Sequence, residues 1–175
     1  FPESTCVIAR KALASMRSST ILFYKRLVRS VPGVVYKASE HRFEYPNGSI
    51  VIFIGMNTDE DREKIRSIGL EGGVDFFWME EGTEFWEEDF DEIGGRMRGR
   101  AAPWTQILIS TNPGARTHWI YQRLMEQKEA TVYYSRTDQN PVNPKSYKAR
   151  LANMRGVLGL RMREGVWAVA EGAVY

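Results

Sequence analysis

The sequence predicts an α/β fold in which a mainly parallel sheet is covered by helices on both faces. Segments of strand length and apolar character alternate along the chain with longer segments of helical pattern. Two of the strand segments, residues 74–79 and 106–110, are largely apolar, which is typical of central parallel strands that are buried on both faces. A length of 175 residues with 43% hydrophobic content suits one domain with a sizeable core.

The first part of the chain is predicted to alternate strands and helices around one hairpin. Residues 5–9 form a short apolar, β-branched run, and the helical pattern after it ends at Pro32-Gly33. Pro46-Asn47-Gly48 predicts a hairpin turn, because Asn and Gly tolerate the positive φ of tight turns. The predicted elements are strands at 5–9, 34–36, 41–45 and 49–54, with the hairpin near 42–54, and helices at 11–31 and 59–67.

The second part of the chain continues the alternation. Residues 74–79 run directly into Glu80-Glu81, and an acidic amphipathic helix follows them. Asn143 is the expected N-cap of the last predicted helix, since Asn is among the preferred capping residues. The predicted elements are strands at 74–79, 106–110 and 130–135, and helices at 85–97, 118–127 and 144–154.

Composition excludes several classes of protein and of site. No apolar run approaches the roughly 18–20 residues of a membrane span, which predicts a soluble protein. Cys6 is the single cysteine of the sequence, so an internal disulfide framework is excluded. Two histidines and one cysteine do not make a zinc site of the usual kind, but they leave an oxygen-ligated Mg²⁺ site open.

The net charge of +2 conceals blocks of opposite sign. Residues 1–56 carry a net charge of +5, residues 57–95 carry −11 and residues 96–175 carry +8. Solvated helix faces account for most such charges in ordinary proteins. Blocks of opposite sign also indicate a cation-binding or acid–base centre beside a surface for polyanions. The charges alone leave both interpretations open.

Two adjacent carboxylates, Glu80 and Glu81, stand where the apolar strand 74–79 ends. In α/β sheets the chemistry lies just beyond the carboxyl ends of the strands. In P-loop ATPases a strand-end acid holds Mg²⁺, directly or through water, and a following Glu polarises the attacking water. The alternative is an exposed strand end that leads into an acidic helix, and the pair alone does not exclude it.

Small polar side chains end the strand 106–110 in the same way. Ser110, Thr111 and Asn112 follow its apolar core, and a hydroxyl or amide there suits contact with a catalytic water or a γ-phosphate. Taken by itself, Asn112-Pro113 is better explained as a turn.

Several motifs, in their order, resemble the ATPase domain of phage terminase large subunits, the motors that package viral DNA into procapsids. Residues 77–85 (FWMEEGTEF) are similar to the Walker B segment of that family. Residues 110–113 (STNP) with 117–121 (THWIY) look like its coupling motif and the helix after it. Residues 138–141 (DQNP), followed by Pro144 and Tyr147, resemble a later signature, and residues 165–175 look like the join to a nuclease domain.

The resemblance implies a P-loop NTPase-like fold of the ASCE type and the cofactors ATP and Mg²⁺. Glu80 would hold the metal and Glu81 would activate water as the catalytic base. Thr111 and Asn112 would contact the nucleotide and couple its hydrolysis to movement. The family also implies an arginine finger that reaches into a neighbouring subunit, and Arg66 lies in the matching loop region, although it could simply end a charged helix.

Arg96, Arg98 and Arg100 follow the acidic helix and are the DNA-binding candidates of the sequence. Each planar guanidinium suits a pair of phosphate oxygens. The alternative is pairing with Glu87, Glu88 or Asp91 on the preceding helix. A broader basic region follows nearer the C-terminus, for contact with DNA, a neighbouring subunit or a nuclease domain: Lys145, Lys148, Arg150, Arg155, Arg161 and Arg163.

One departure from the family pattern matters for activity, because no G-x-x-x-x-G-K-[ST] loop occurs in the sequence. In the family this loop precedes the strand matched by residues 5–9. The expectation is therefore an internal piece of a larger motor: one domain over residues 1–175, with a linker region from about residue 156 towards a nuclease domain. Residues 1–175 alone are expected to bind ATP weakly and to be inactive.

The partners implied by the resemblance are double-stranded DNA, identical subunits in a ring, a small terminase subunit and a portal protein, in the host cytoplasm and away from membranes. Two alternatives remain at this stage. One is a non-catalytic DNA-binding or assembly module with a P-loop-like fold. The other is a different P-loop ATPase, such as a helicase.

Overall fold

A computed structural model describes residues 1–68 and 72–169 of the chain. It divides into two compact units, Phe1–Ser110 and Thr111–Tyr175. Each unit is described by itself below. Within the described residues, none of the helices is both long and apolar enough to cross a membrane.

The first unit is built on a six-stranded sheet, in the order β2-β3-β4-β1-β5-β6. β1 pairs in parallel with both β4 and β5, and β5 pairs in parallel with β6. The mainly parallel α/β sheet predicted from the alternating pattern is therefore confirmed. The strands are β1 (Thr5–Arg10), β2 (Val35–Lys37), β3 (Arg42–Glu44), β4 (Ile50–Gly55), β5 (Phe76–Glu80) and β6 (Gln106–Ser110).

The predicted hairpin is also confirmed, because β3 and β4 pair in antiparallel fashion across the turn at Pro46-Asn47-Gly48. Gly48 has a φ of +81°, in the left-handed region that glycine adopts without strain. Its N–H donates to the Tyr45 carbonyl at 3.0 Å and closes the turn. β2 adds to the other side of β3, also antiparallel.

The helices of the first unit are shorter than the sequence pattern predicts. The single helix expected over residues 11–31 is two helices. The helix is interrupted at Ser18 and Ser19, because the hydroxyls of both residues donate to the Ser15 carbonyl. The helix expected over residues 85–97 occupies only its middle part, after a short 3₁₀ turn at Gly82–Glu84. The helices are α1 (Leu13–Arg17), α2 (Thr20–Leu27), α3 (Asp59–Ile68) and α4 (Glu87–Gly94).

The core of the first unit lies on β1 and its neighbours. Val7, Ile8 and Ala9 of β1 are buried, with Phe77 and Met79 beside them on β5. α1 and α2 add Met16 and Ile21 to the cluster on β3 and β4. The sheet is therefore anchored where β1 and β5 run side by side, and Glu80 is the last residue of β5.

Asp75 fixes the start of β5 through its buried carboxylate, which is only 2% exposed. One oxygen accepts the Thr5 N–H at 2.8 Å, and the other accepts the N–H groups of Ala101 and Ala102 at 3.0 and 3.3 Å. Because these N–H groups come from two separate segments, this one side chain ties β1 and the loop before β6 to β5. It satisfies donors that would otherwise be buried without partners.

β6 departs from the prediction of a buried central strand. It pairs with β5 on one side, and no strand of the described residues pairs with its other side. Its side chains alternate between half-buried and exposed, and Leu108 is 55% exposed. The prediction that β6 is a central strand is wrong. An apolar run indicates that a segment forms a strand, but it does not indicate how many neighbouring strands pair with it.

The second unit is helical in its regular parts. It contains a π-helical segment (Ile120–Glu126), a 3₁₀ turn (Thr137–Gln139), α5 (Lys145–Ala152) and α6 (Gly156–Glu164). The helices predicted at 118–127 and 144–154 are confirmed in type. α5 and α6 pack against each other, and the Ala168 N–H donates to the Gly114 carbonyl at 3.1 Å, which joins the two ends of the unit.

Two predictions for the second unit are wrong. Residues 130–135 form no strand, since no segment pairs with them in the described chain and Tyr133 is 90% exposed. Asn143 does not cap α5, because Pro144 occupies the N-cap position and the Asn143 amide donates to the Thr137 carbonyl at 3.1 Å. β propensity and capping preference are local, and here contacts within the unit override both. Residues 170–175 of the motif at 165–175 lie outside the described part of the chain.

Candidate active site

The carboxyl ends of β1, β5 and β6 meet at one edge of the sheet. Glu80, the last residue of β5, is in register with Ser110, the last residue of β6. On the other side of β5, Met79 is in register with Ala9, and Arg10 ends β1. This parallel arrangement brings together the strand ends that the sequence predicts to hold the chemistry.

Glu80 is the most constrained of these side chains. Its Oε1 accepts a hydrogen bond of 2.5 Å from the hydroxyl of Thr20, the first residue of α2. Its Oε2 is buried and has no hydrogen-bond partner among the described residues. A buried carboxylate oxygen without a donor is costly, so this atom is suited to a cation that is supplied from elsewhere.

Glu81 follows directly and leaves the strand geometry. Its backbone lies in the left-handed region, with φ 55° and ψ 57°, which few residues other than glycine adopt. The Glu84 N–H donates to the Glu81 carbonyl at 2.8 Å and starts the 3₁₀ turn. Backbone of this kind is concentrated at functional sites, where the surrounding structure stabilises it.

Arg10 is a residue at this edge that the sequence prediction omits. Its guanidinium donates to the Glu84 carboxylate at 3.1 and 3.3 Å. The hydrogen bond to Glu84 raises the pKa of Arg10, and the charges of Glu84, Glu80 and Glu81 raise it further. The strand-end rule, applied to β1 as it was to β5, would have identified Arg10.

A buried charge cluster links three elements near this edge. The carboxylate of Asp89 on α4 is fully buried and pairs with Lys11 at 2.5 Å and with Arg62 at 2.9 Å. Its Oδ2 also accepts the Trp86 N–H at 2.8 Å. Lys11 follows Arg10 at the end of β1, so this cluster joins β1, α3 and the start of α4.

The donor set fits a Mg²⁺ ion that is shared with a phosphate ligand. The described residues contain no group of three or more His, Cys, Asp or Glu side chains placed to hold a metal. Mg²⁺ in phosphoryl-transfer sites is usually bound by one or two carboxylates together with substrate phosphates and water. The unpartnered Oε2 of Glu80 provides one such carboxylate oxygen.

Arg66 lies on α3 and is bound to acids of its own chain. It donates to Glu63 at 3.1 Å and to both oxygens of Glu92 on α4, at 3.2 and 3.3 Å. The hydrogen bond to Glu92 raises the pKa of Arg66. The side chain is 49% exposed, so it stands at the surface of the unit.

The three arginines after α4 differ in their surroundings. Arg96 donates to Glu92, one turn away on α4, at 3.0 and 3.3 Å. Glu92 is not among the three acids that the sequence analysis named as alternative partners. Arg98 and Arg100 are exposed. Arg98 also packs beside Gly73, where a Cβ would lie 2.6 Å from its backbone.

Thr111 and Asn112 open the second unit, directly after Ser110. The Thr111 hydroxyl donates to the Asn112 carbonyl at 3.0 Å, and Asn112 is exposed. They therefore follow β6 in the chain as Glu81 follows β5. Their part in nucleotide contact stays a prediction.

The family model of the phage terminase large subunit matches residues 6–155. The chain belongs to the phage terminase large subunits. The PBSX phage terminase large subunit of Bacillus subtilis (strain 168) is 24% identical over 129 residues, which are 72% of this chain and 28% of that protein.

Solved terminase structures share the fold. The large terminase of a thermophilic bacteriophage matches 98% of this chain and 43% of its own, with a TM-score of 0.81 and 18% identity. A second structure of the same large terminase, in complex with ADP, matches with a TM-score of 0.77. The ATPase domain of the Thermus phage P74-26 large terminase matches 95% of this chain and 78% of its own length, with a TM-score of 0.54 and 12% identity.

These likenesses give the terminase chain a P-loop NTPase-like fold, as expected from the resemblance. The chain spans less than half the length of the PBSX protein and of the thermophilic bacteriophage protein. Of the residues at this edge of the sheet, the sequence analysis named Glu80 and Glu81 but omitted Arg10 and Thr20. Thr20 had no signal, because it is one of several hydroxyls in a serine-rich stretch.

Proposed function

We propose that this chain is the central and C-terminal part of a terminase ATPase domain, in a protein that hydrolyses ATP to drive double-stranded DNA into a procapsid. The observation that carries the proposal is the pair Glu80 and Glu81 at the carboxyl end of β5, with one carboxylate oxygen buried and unpartnered among the described residues. Membership of the terminase family and the ADP complex of the thermophilic bacteriophage terminase support it.

The two carboxylates have different parts in the proposed reaction. Glu80 would hold a Mg²⁺ ion through Oε2, and such an ion would supply positive charge beside the phosphates that react. Glu81 orients the attacking water and accepts its proton as the bond to the γ-phosphorus forms and the bond to the ADP oxygen breaks. Arg10, held by Glu84, keeps positive charge beside both acids.

The remaining roles rest on the resemblance. Thr111 and Asn112 contact the nucleotide and couple its hydrolysis to movement, and Arg66 acts on the site of a neighbouring subunit in a ring. For Arg66 this requires release from Glu63 and Glu92, which bind it in the single chain. A small terminase subunit and a portal protein complete the assembly, in the host cytoplasm.

The phosphate-binding loop of this motor is proposed to lie upstream of Phe1, since residues 1–175 contain no Gly-rich loop of that type. Most contacts to the β- and γ-phosphates come from such a loop. Residues 1–175 alone should therefore bind ATP weakly and hydrolyse it slowly. A nuclease domain is proposed to follow Tyr175.

The test is a comparison of Glu81→Gln and Glu80→Gln in the full-length protein. Glu81→Gln keeps the size of the side chain but removes the base, so turnover should fall by roughly 10²–10⁴ while ATP binding persists. Glu80→Gln weakens a metal ligand, so the Mg²⁺ concentration for half-maximal ATPase rate should rise. ATPase rate measured against Mg²⁺ concentration separates the two effects.

Glu88→Gln is the matched control, because Glu88 is an exposed acid in the first turn of α4. Its turnover should stay within a few-fold of wild type. If Glu80→Gln and Glu81→Gln both behave like Glu88→Gln, the chain is better explained as a non-catalytic assembly module. A reading frame without an upstream phosphate-binding loop would support the same conclusion.

A further inference from the structure

We infer that Thr20 is a positioning residue that fixes the orientation of Glu80 at the metal-binding edge. The inference rests on the proposed function of Glu80. It concerns a residue 60 positions earlier in the sequence, on a different element, which no motif of the chain identifies.

The contact is short and buried. The Thr20 hydroxyl lies 2.5 Å from Oε1 of Glu80, and Thr20 is 6% exposed. An ionised carboxylate has no proton to give, so Thr20 is the donor. Hydrogen bonds to a charged acceptor are stronger than neutral ones, which makes this contact an effective restraint on the side chain.

Thr20 is itself held in place by its neighbours. It is the first residue of α2, and Ile21 beside it and Met16 on α1 are both buried in the core cluster. A β-branched side chain has few χ1 rotamers, and burial restricts them further. The donor is therefore preorganised before any ligand arrives.

The hydrogen bond makes the two oxygens of Glu80 unequal. Oε1 is occupied by Thr20, and Oε2 is buried with no partner among the described residues. The carboxylate is thus anchored through one oxygen and leaves the other for a cation. Outer hydrogen bonds of this kind fix the orientation of metal ligands, and their loss typically lowers metal affinity by about 10–100-fold.

The adjacent hydroxyl shows what Thr20 would do in a purely local role. Ser19 donates to the Ser15 carbonyl at 2.7 Å, the usual bond of a Ser or Thr to the preceding turn. The Thr20 hydroxyl donates to the strand-end acid instead. It is therefore directed to the site and not to its own helix.

The experiment compares Thr20→Val with Thr20→Ser in the full-length protein. Valine keeps the shape and removes the hydroxyl, whereas serine keeps the hydroxyl. Thr20→Val should raise the Mg²⁺ concentration for half-maximal ATPase rate by about 10-fold or more, and Thr20→Ser should stay within about 3-fold of wild type. Mn²⁺ binding in the presence of ADP, followed by electron paramagnetic resonance, should weaken in the same order without any turnover.

Thr58→Val is the matched control, because it also removes a threonine hydroxyl that makes a hydrogen bond. The Thr58 hydroxyl accepts the Asp61 N–H at 3.2 Å at the start of α3. Urea unfolding should show a loss of stability for this variant, and its Mg²⁺ requirement should equal that of wild type. If Thr20→Val does not fold, Thr20→Cys replaces it, with a weaker donor and an intermediate effect expected.

The outcomes separate this inference from the proposed function. If Glu80→Gln raises the Mg²⁺ requirement and Thr20→Val does not, the inference is wrong and the role of Glu80 stands. If neither variant changes the Mg²⁺ requirement or Mn²⁺ binding, the role of Glu80 fails and the inference fails with it. A loss of stability in Thr20→Val with unchanged Mn²⁺ binding also contradicts the inference.

Discussion

Cys6, on β1 between β4 and β5, shows how the core of the sheet affects a single ionisable group. Burial raises the pKa of its thiol from the ordinary value of 9.0 to about 11. The folded state therefore holds the thiol proton more tightly than the unfolded state does. The same burial makes the thiol a poor nucleophile at neutral pH, which agrees with a structural role for this residue.

Stability should depend on pH through Cys6 in a defined direction. The raised pKa contributes stability in full below about pH 9, and this contribution is lost as pH rises towards 11. Relative to Cys6→Ala, the wild-type free energy of unfolding should fall by about 2 to 3 kcal/mol across that interval. Urea unfolding of both proteins at several pH values across the interval measures this difference.

The comparison with Cys6→Ala removes the titration of every other group, because both proteins share those groups. Alanine also leaves a small cavity, which shifts its stability by a constant amount at all pH values. A stability difference that does not change over the whole pH interval would show that the thiol titrates alike in both states.

At the scale of elements, the entry to β5 is fixed by a short segment that pairs with the residues after α4. The Val74 N–H donates to the Arg96 carbonyl at 3.1 Å, and the Gly99 N–H donates to the Val74 carbonyl at 3.0 Å. Gly73 enters this segment with a φ of +88°. Since β5 is short, the placement of its first residues also determines that of Glu80 at its end.

Gly73→Ala should therefore destabilise the protein strongly. A Cβ at this position would lie 2.6 Å from the Arg98 backbone, in a conformation that side chains rarely adopt. We expect a loss of about 3 kcal/mol. Gly72→Ala is the matched control, because a Cβ there meets nothing within 4 Å, and its effect should stay within about 0.5 kcal/mol.

Thermal unfolding of both alanine variants measures this contrast. Equal effects at positions 72 and 73 would mean that the segment moves aside at little cost. In that case β5 would be held mainly by Asp75 and its backbone partners.

The elements also show where sequence reasoning succeeds. β1, β5 and β6 were predictable because their runs are apolar and end in polar residues, and parallel pairing then placed Glu80 opposite Ser110. The break between α1 and α2 was not, since it depends on hydroxyls that bond to the backbone of the preceding turn. Thr20 was not predictable either, because its partner is distant in sequence and only tertiary packing joins them.

At the scale of the whole molecule, the two units carry net charges of opposite sign. Residues 1–110 carry a net charge of −3 and residues 111–175 carry +5. Some acids of the acidic block pair with basic side chains inside the first unit, and Asp89 and Glu92 are two of them. The positive charge of the second unit has fewer acidic partners available to it.

Binding of double-stranded DNA should reveal which basic residues contact phosphates. Arg100→Gln should reduce the slope of log affinity against log salt by about 1, if Arg100 contacts a phosphate. Arg96→Gln should reduce the slope less, because Glu92 already binds that guanidinium. Fluorescence anisotropy with a DNA duplex at several salt concentrations measures both slopes.

Lys64→Gln is the control for this measurement, since Lys64 pairs with Glu60 and Asp61 on α3. Its slope should equal that of wild type. If Arg100→Gln behaves in the same way and Lys148→Gln reduces the slope instead, the DNA surface lies on the second unit.

The position of β6 has a consequence for the behaviour of the protein in solution. Among residues 1–68 and 72–169, no strand pairs with the outer side of β6. An apolar edge strand of this kind is a template for pairing with another chain. Leu108 on this strand is 55% exposed and adds apolar surface to the edge. Concentrated samples should therefore self-associate through β6, and a charged residue at position 108 should reduce that association.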